Sequence, residues 1–310
     1  MPQLSYGDIK AAADRIAGRV RPVALAQADA GLWLALEQLQ HTGSFKARGA
    51  QNFIRAHREA GTLPDAGVTI ASGGNAGLAC AWAAQQQGVR ATVFVPTTAP
   101  AVKVAKLRGY GADVRPVGSD YAEALAACEE FAAGSGALAA HAYDHPLIAA
   151  GAGTLLDEIH RQLPALDTVV VAVGGGGLFA GVATAARQHG IRTVAVEPEQ
   201  CRALNAAVEA SHPVDVPVDS VAADSLGARR ASAMALDVAR QGDVRSVLVP
   251  DEAILRARRA LWDDHRLAVE HAAATALAAL PVYRPAPGER VCVVLCGANT
   301  DPTDLVAPGR

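Results

Sequence analysis

Residues 168–181 read TVVVAVGGGGLFAG, an apolar run that ends in four consecutive glycines. Near-continuous apolar runs are typical of strands that are buried on both faces of a parallel sheet. Four glycines in a row cost much backbone entropy, so they seldom serve only as a turn. The stretch therefore predicts a strand, a glycine loop and a helix. Because backbone N–H groups are free at a helix start, the loop is a candidate cradle for a phosphate group.

Around this stretch, short β-branched runs alternate with alanine-rich runs from Ala66 onward. This alternation is the pattern of an α/β protein with parallel strands. We expect strands at residues 68–70, 92–95, 113–117, 168–173, 193–196, 246–249 and 291–295. We expect helices at residues 76–87, 100–108, 121–133 and 146–163, and a loop at 211–219. The chain has no internal repeat, so any second domain should be interleaved with the first rather than appended to it.

Composition and charge exclude several classes of protein. The 310 residues are 51% hydrophobic and carry a net charge of -3, so neither a disordered chain nor a nucleic-acid binder is indicated. Five scattered cysteines without a C-x-x-C pair indicate neither a disulfide framework nor a zinc site. No signal peptide is apparent, and no apolar run reaches the ~18 residues of a membrane helix. We therefore expect a cytoplasmic location without membrane contact.

A second candidate feature is the stretch Thr42 to Gly49, which reads TGSFKARG and precedes apolar residues at helical spacing. This spacing places Lys46 in the first turn of a helix, where the positive end of the helix dipole disfavours a cation. Lys46 should then be held by an anion or have a lowered pKa, which would make its amine a nucleophile. A solvated surface lysine is the ordinary alternative.

The turn from Ser72 to Gly77 reads SGGNAG and joins a predicted strand to a predicted helix. Its backbone N–H groups can hold an anion, and the Asn75 amide can be directed at a ligand oxygen. An ordinary tight turn is the alternative. Cys296 ends the last predicted strand at the same edge of the sheet, where ligands bind in open α/β folds. It is either a ligand contact or a small buried apolar residue.

The glycine loop also permits another class of enzyme. From Gly175 the sequence reads G-x-G-x-x-A, a weak variant of the dinucleotide-binding motif, and Glu197 ends a strand about 20 residues further on. An NAD-dependent oxidoreductase is therefore an open alternative. The sequence contains neither H-E-x-x-H nor G-x-S-x-G, so zinc-peptidase and serine-hydrolase chemistry are not indicated.

Four stretches, taken together and in this order, resemble the serine/threonine dehydratases: TGSFK at 42–46, SGGNAG at 72–77, GGGGL at 174–178 and CGAN at 296–299. The resemblance extends from Trp33 to Asn299. It implies a pyridoxal-phosphate enzyme of fold type II, the two-domain fold of the tryptophan synthase β-subunit, with open twisted, mainly parallel sheets flanked by helices. We expect a homodimer with a large domain of residues 1–50 and 146–310 and a small domain of residues 51–145.

The resemblance also implies a role for each matching residue. Lys46 would carry the cofactor as an aldimine and, once displaced, act as a base at the substrate Cα. The implied cofactor-binding residues are Phe45 and Asn75 at the ring, Cys296 at the pyridine nitrogen, and Gly174, Gly175, Gly176 and Gly177 at the phosphate. The implied substrate-binding residues are Ser72, Gly73 and Asn75.

The implied reaction is β-elimination of water from L-serine or L-threonine, giving pyruvate or 2-oxobutyrate plus ammonia. Serine racemase, β-replacement and 3-hydroxyaspartate dehydratase activities are the nearer alternatives. Serine racemases carry a serine two residues before the cofactor asparagine, and this chain has Gly73 there, which favours elimination. A divalent-cation site like that of the serine racemases would need an acidic residue six positions after Glu197, but Ala203 stands there. We therefore consider only a monovalent cation near Glu197. Glu270 stands where the family often has Glu-Pro, which leaves its role open.

Overall fold

The computed structural model describes residues 3–306, which form ten strands and fourteen α-helices. The strands are β1 Leu25–Asp29, β2 Leu32–Ala35, β3 Val68–Ala71, β4 Ala91–Val95, β5 Asp113–Pro116, β6 Leu138–Ala139, β7 Thr168–Ala172, β8 Arg192–Pro198, β9 Val244–Val249 and β10 Val291–Val294. The helices are α1 Tyr6–Ile16, α2 Lys46–Glu59, α3 Asn75–Gln86, α4 Ala101–Gly109, α5 Tyr121–Ser135, α6 Pro146–Gln162, α7 Gly177–Gln188, α8 Ala203–Ala210, α9 Ala223–Leu226, α10 Ala233–Ala239, α11 Asp251–His265, α12 His271–Ala278, α13 Leu280–Tyr283 and α14 Thr303–Val306.

The strands form two sheets. The larger sheet has the order β1-β2-β10-β7-β8-β9, and the smaller has the order β5-β4-β3-β6. Every neighbouring pair is parallel except β1 with β2. The expected α/β fold with mainly parallel sheets flanked by helices is therefore confirmed.

The structure contains every strand, every helix and the loop that the sequence predicts. The observed bounds of these elements differ from the predicted ones by at most two residues. The antiparallel pair β1–β2 and the two-residue strand β6 were not expected. Strand β6 exists because Leu138 and Ala139 pair with β3, and two residues are too short to show a period of their own. Helix α1 was also not expected, although Ser5 and Asp8 form a capping box at its start.

Each sheet has its own hydrophobic core. Valines of β7, β8 and β10 form the centre of the larger core, and helix α2 contributes Phe53 and Ile54 to the core beside the smaller sheet. A third, small cluster of Ala71, Phe94, Ala124 and Cys128 lies between the smaller sheet and α5. Separate cores at the two sheets fit a two-domain chain, but the expected boundaries at residues 50/51 and 145/146 stay a prediction. Within residues 3–306, no helix is long and apolar enough to span a bilayer.

Close helix packing fixes the position of the glycine loop. A Cβ atom at Gly181 in α7 would lie 2.2 Å from the carbonyl oxygen of Ala149 in α6, so only glycine permits this approach. Helix α7 begins at Gly177, so this contact also fixes the loop that precedes it. Three residues of interest lie in turns that follow strands: Ser72 after β3, Gly174 after β7 and Cys296 after β10. The contacts described below bring the turns after β3 and β10 together. Carboxyl ends of parallel strands are where α/β proteins bind their ligands.

Candidate active site

The backbone before α2 is attached to the end of β10. The Phe45 N–H donates to the carbonyl oxygen of Cys296 at 3.0 Å. One residue earlier, Ser44 forms an isolated antiparallel bridge with Gly297. These contacts bring Lys46, the first residue of α2, beside Cys296, although the two are far apart in the sequence. The sequence expectation that both lie at one site is consistent with this placement.

Lys46 lies largely within the protein. Its Nζ donates to the carbonyl oxygen of Ala142 at 2.9 Å and lies 4.9 Å from the centre of the Phe45 ring. Burial lowers the pKa of Lys46 to about 8, and the nearby Cys296 and Glu270 partly oppose this shift. The alternative of a solvated surface lysine is therefore wrong. A lysine with this pKa has a sizeable neutral fraction near pH 8, and the neutral amine is the nucleophilic form.

Asn75 lies at the centre of a hydrogen-bonded chain that links four segments. Its Nδ2 donates to both oxygens of Glu270, at 2.9 and 3.0 Å, and its Oδ1 accepts from Asn299 Nδ2 at 2.7 Å. Asn299 Nδ2 also donates to the carbonyl oxygen of Thr42 at 2.6 Å. Asn75 is therefore oriented by two residues from the C-terminal part of the chain, one of which Thr42 holds in turn, rather than by its own turn.

Glu270 is the main site residue whose role the sequence left open. It is buried at the start of α12, with 6% of its surface exposed, and its N–H donates to the Gly297 carbonyl oxygen at 3.1 Å. Burial raises its pKa, and the hydrogen bond from Asn75 partly opposes the rise. A Cβ atom at Gly297 would lie 2.4 Å from Glu270 Oε1, so the glycine after Cys296 makes room for the carboxyl group.

The loop Gly174–Gly177 is tightly enclosed. A Cβ atom at Gly175 would lie 2.3 Å from ring carbons of Tyr143, and one at Gly176 would lie 2.4 Å from the Cβ of Ala235. Gly176 also has a φ of 98°, which strongly favours glycine. No backbone carbonyl in the described chain accepts from the N–H groups of Gly174, Gly175 or Gly176. These free donors at the start of α7 suit a phosphate. Tyr143 gave no signal in the sequence, because its contact with the loop is not local.

The turn after β3 supplies further donors. Ser72 Oγ accepts from the Gly74 N–H at 3.3 Å, and Asn75 begins α3, so the turn opens directly into a helix start. A Cβ atom at Gly73 would lie 3.4 Å from a Val95 methyl, an ordinary contact. Gly73 is therefore not imposed by crowding. The backbone at this turn leaves room for a carboxylate to approach closely, and its role in substrate binding stays a prediction.

Glu197 serves the structure of the larger sheet. Its carboxylate accepts from the backbone N–H groups of Leu204 at 2.7 Å and Asn205 at 2.8 Å, at the start of α8. Burial raises its pKa to about 8. No group of three or more His, Cys, Asp or Glu residues within 3–306 is placed to hold a metal ion. A monovalent cation near Glu197 stays a prediction.

The fold and site define an α/β enzyme whose chemistry centres on Lys46, which the segment Ala142–Tyr143 links to the glycine loop. Residues 19–297 match the family model described as pyridoxal-phosphate dependent enzyme. The chain belongs to this family, and its cofactor is pyridoxal phosphate. The alternative of an NAD-dependent oxidoreductase is left without support.

Similar proteins agree with this assignment. An L-threonine ammonia-lyase of Geobacter sulfurreducens is 37% identical over 99% of this chain and 80% of its own length. A serine dehydratase-like protein of Rattus norvegicus is 35% identical over 86% of this chain and 85% of its own. The solved structure of maize serine racemase aligns with a TM-score of 0.91 at 28% identity, covering 98% of this chain and 96% of that one. The resemblance to the serine/threonine dehydratases is therefore confirmed.

Proposed function

We propose that this protein is an L-serine/L-threonine ammonia-lyase that eliminates water from its substrate and releases a 2-oxo acid and ammonia. The observation that carries the proposal is Lys46, a buried amine of lowered pKa, placed beside Cys296 and Glu270. The relatives named as ammonia-lyase and dehydratase support the choice of substrate. Gly73, where a serine racemase would have serine, supports elimination over racemisation.

Several residues fit the cofactor. Lys46 would bind it covalently, Phe45 would pack against its ring, Asn75 would meet the ring hydroxyl and Cys296 the pyridine nitrogen. The N–H groups of the loop Gly174–Gly177 would hold the phosphate. When bound, the cofactor supplies an electron sink for the electron pair left at the substrate Cα.

The residues of the chain then bind the substrate and move protons. The N–H groups of Gly73 and Asn75, with the Ser72 hydroxyl and the Asn75 amide, would hold the substrate carboxylate. The Lys46 amine, released from the cofactor when the substrate amine takes its place, would take the proton from Cα, and the Cα electron pair would form a double bond to Cβ as the C–O bond breaks. The hydroxyl leaves as water with a proton returned by Lys46. One water then hydrolyses the released enamine to the 2-oxo acid and ammonia.

The experiment supplies purified protein and pyridoxal phosphate with L-serine or L-threonine, and measures 2-oxo acid and ammonia together with the enantiomers of the remaining amino acid. We expect equal amounts of 2-oxo acid and ammonia, with at most traces of D-serine. Lys46→Ala should abolish the reaction, whereas Lys106→Ala, an exposed lysine of α4, should leave it unchanged. D-serine formed as fast as pyruvate would instead assign a racemase.

We also propose that the protein is a cytoplasmic homodimer with domains 1–50 plus 146–310 and 51–145. The two sheets and their separate cores support the division into domains. The five cysteines are buried and form no disulfide, which supports a reducing compartment. Light scattering coupled to size-exclusion chromatography tests the dimer, and a monomeric mass would contradict it.

A further inference from the structure

One short segment touches both halves of the proposed cofactor site. The connecting loop, residues 140–145, runs from β6 to α6. Its Ala142 carbonyl oxygen accepts from Lys46 Nζ at 2.9 Å. Its next residue, Tyr143, lies against Gly175, and the Tyr143 hydroxyl donates to the Arg230 carbonyl oxygen at 3.3 Å. The conformation of this loop therefore determines what surrounds the lysine amine and what covers the glycine loop.

His141 keeps the backbone of the connecting loop in a tight turn. Its Nδ1 accepts from the backbone N–H of Tyr143 at 3.2 Å and from that of Asp144 at 2.8 Å. The imidazole also packs edge-on against the Tyr143 ring, with 4.7 Å between ring centres. A nitrogen that accepts two hydrogen bonds must keep its lone pair, so the neutral ring carries its proton on Nε2. An imidazolium has a proton on both nitrogens and cannot accept either bond.

Burial favours the neutral form of His141, whereas the charges around the ring act in both directions. Lys46 faces it from α2, and Asp144 and His145 lie on its own loop, with His57 of α2 next to His145. Partial burial lowers the pKa of His141, and Lys46 lowers it further, while Asp144 opposes both. The ring is also exposed enough to exchange protons with solvent. The folded state prefers neutral His141, so the pKa of this ring lies below the ordinary value of 6.5. The two hydrogen bonds to His141 are therefore fully formed above pH 6.5 and are lost as the pH falls through the lowered pKa.

We propose that His141 is a positioning residue that, when neutral, holds the connecting loop against Lys46 and Gly175 and, when protonated, releases it. Only the consequence for catalysis rests on the proposed function. The turn itself is a property of the folded chain. His141→Asn is the critical variant, because the amide oxygen can accept from the N–H groups two and three residues on and does not titrate.

The experiment is hydrogen exchange by mass spectrometry on peptides that span 141–146, measured on the cofactor-loaded protein from pH 8 to pH 5 and corrected for intrinsic exchange. In the wild type, protection of the Tyr143 and Asp144 amides should fall on the order of tenfold as pH decreases. His141→Asn should keep the protection across the whole range. His141→Ala should lack it at every pH. His265→Asn, at the exposed end of α11, is the matched control and should behave as wild type.

Equal protection of the wild type at pH 8 and pH 5, or a His141→Ala protein protected like the wild type, would overturn the proposal. A second measurement separates positioning from mere folding. The acid limb of kcat/KM should move to lower pH in His141→Asn, with near wild-type turnover at pH 8. An acid limb unchanged in His141→Asn would also overturn the proposal. Absence of elimination activity in every protein, with the exchange pattern intact, would instead reject the proposed function and leave the role of His141 in the turn standing.

Discussion

Helix α2 carries two cations within one turn, the buried Arg48 and the half-buried Lys46, and they have opposite surroundings. Arg48 has no exposed surface and is held by both oxygens of Glu37, at 2.7 and 2.8 Å, and by both oxygens of Glu158, at 2.7 and 2.9 Å. Lys46 has a single carbonyl oxygen as its hydrogen-bond acceptor. The arginine is fully compensated, whereas the lysine is left with a lowered pKa of about 8.

The difference separates a structural cation from a chemical one. A buried charge with complete partners stays charged and fixes the elements around it, here α2, α6 and the segment after β2. A buried amine without a paired carboxylate is partly neutral and can react. The same helix start thus contains a rigid anchor and a reactive group, and the anchor keeps the reactive group in place.

Loss of the lysine should have the largest effect on activity. We expect Lys46→Ala to reduce elimination at least about 1,000-fold, because both the covalent anchor and the base disappear. Its stability at pH 7 should not fall much, because the variant no longer buries an incompletely paired cation. Activity is measured as 2-oxo acid formed, and stability by urea denaturation. Borohydride reduction with peptide mapping should label Lys46 in the wild type, and a label on Lys103 instead would contradict the assignment.

Loss of the Arg48 side chain should mainly reduce stability, whereas loss of the Lys46 side chain should mainly reduce activity. Arg48→Met leaves the buried carboxylate of Glu37 and the partly buried carboxylate of Glu158 without their cation, so we expect a loss of about 3–5 kcal/mol in the free energy of unfolding. Urea denaturation measures it. Arg55→Met is the matched control on the same helix: both side chains of its pair with Glu59 are partly exposed to solvent, so the change should stay within about 0.5 kcal/mol. Equal losses in the two variants would show that Arg48 is no anchor.

A smaller effect is expected at Cys296. Burial raises the pKa of its thiol, so it stays neutral and would leave the cofactor nitrogen largely unprotonated. Cys296→Asp should alter the cofactor absorbance and lower turnover roughly tenfold, the size of one pKa unit of differential stabilisation. Cys296→Ser should change both only slightly. Identical spectra and rates in the two variants would argue against contact between Cys296 and the ring.

The smallest effect concerns the outcome of the reaction rather than its rate. Gly73 can be replaced without crowding, because a Cβ atom there would lie 3.4 Å from its nearest neighbour, a Val95 methyl. Gly73→Ser would add a hydroxyl at the position where racemases carry serine, so we expect the ratio of D-serine to pyruvate to rise several-fold from traces. Chiral chromatography measures the ratio, with Gly134→Ser in α5 as the control at another open glycine. An unchanged ratio would show that a hydroxyl at position 73 does not act as an acid or base at Cα.

The sequence alone determined the α/β class, the glycine loop and the place of Lys46 at a helix start. These features are local: periodicity, glycine spacing and helix polarity act over a few residues. Every strand and helix expected from such patterns is present. The expected site residues Phe45, Lys46 and Cys296 also lie together, as their shared motifs implied.

The tertiary structure decided which side chains complete the site. Glu270 meets Asn75 across 195 residues, Lys46 reaches Ala142 across 96, and Arg48 reaches Glu158 across 110. Contacts at such separations have no sequence period, because they depend on how the two sheets and their helices pack. The pKa values of Lys46 and Glu270 follow from the same packing, since burial and neighbouring charges set them. Local sequence patterns thus identify the reactive residue, whereas long-range packing determines its surroundings.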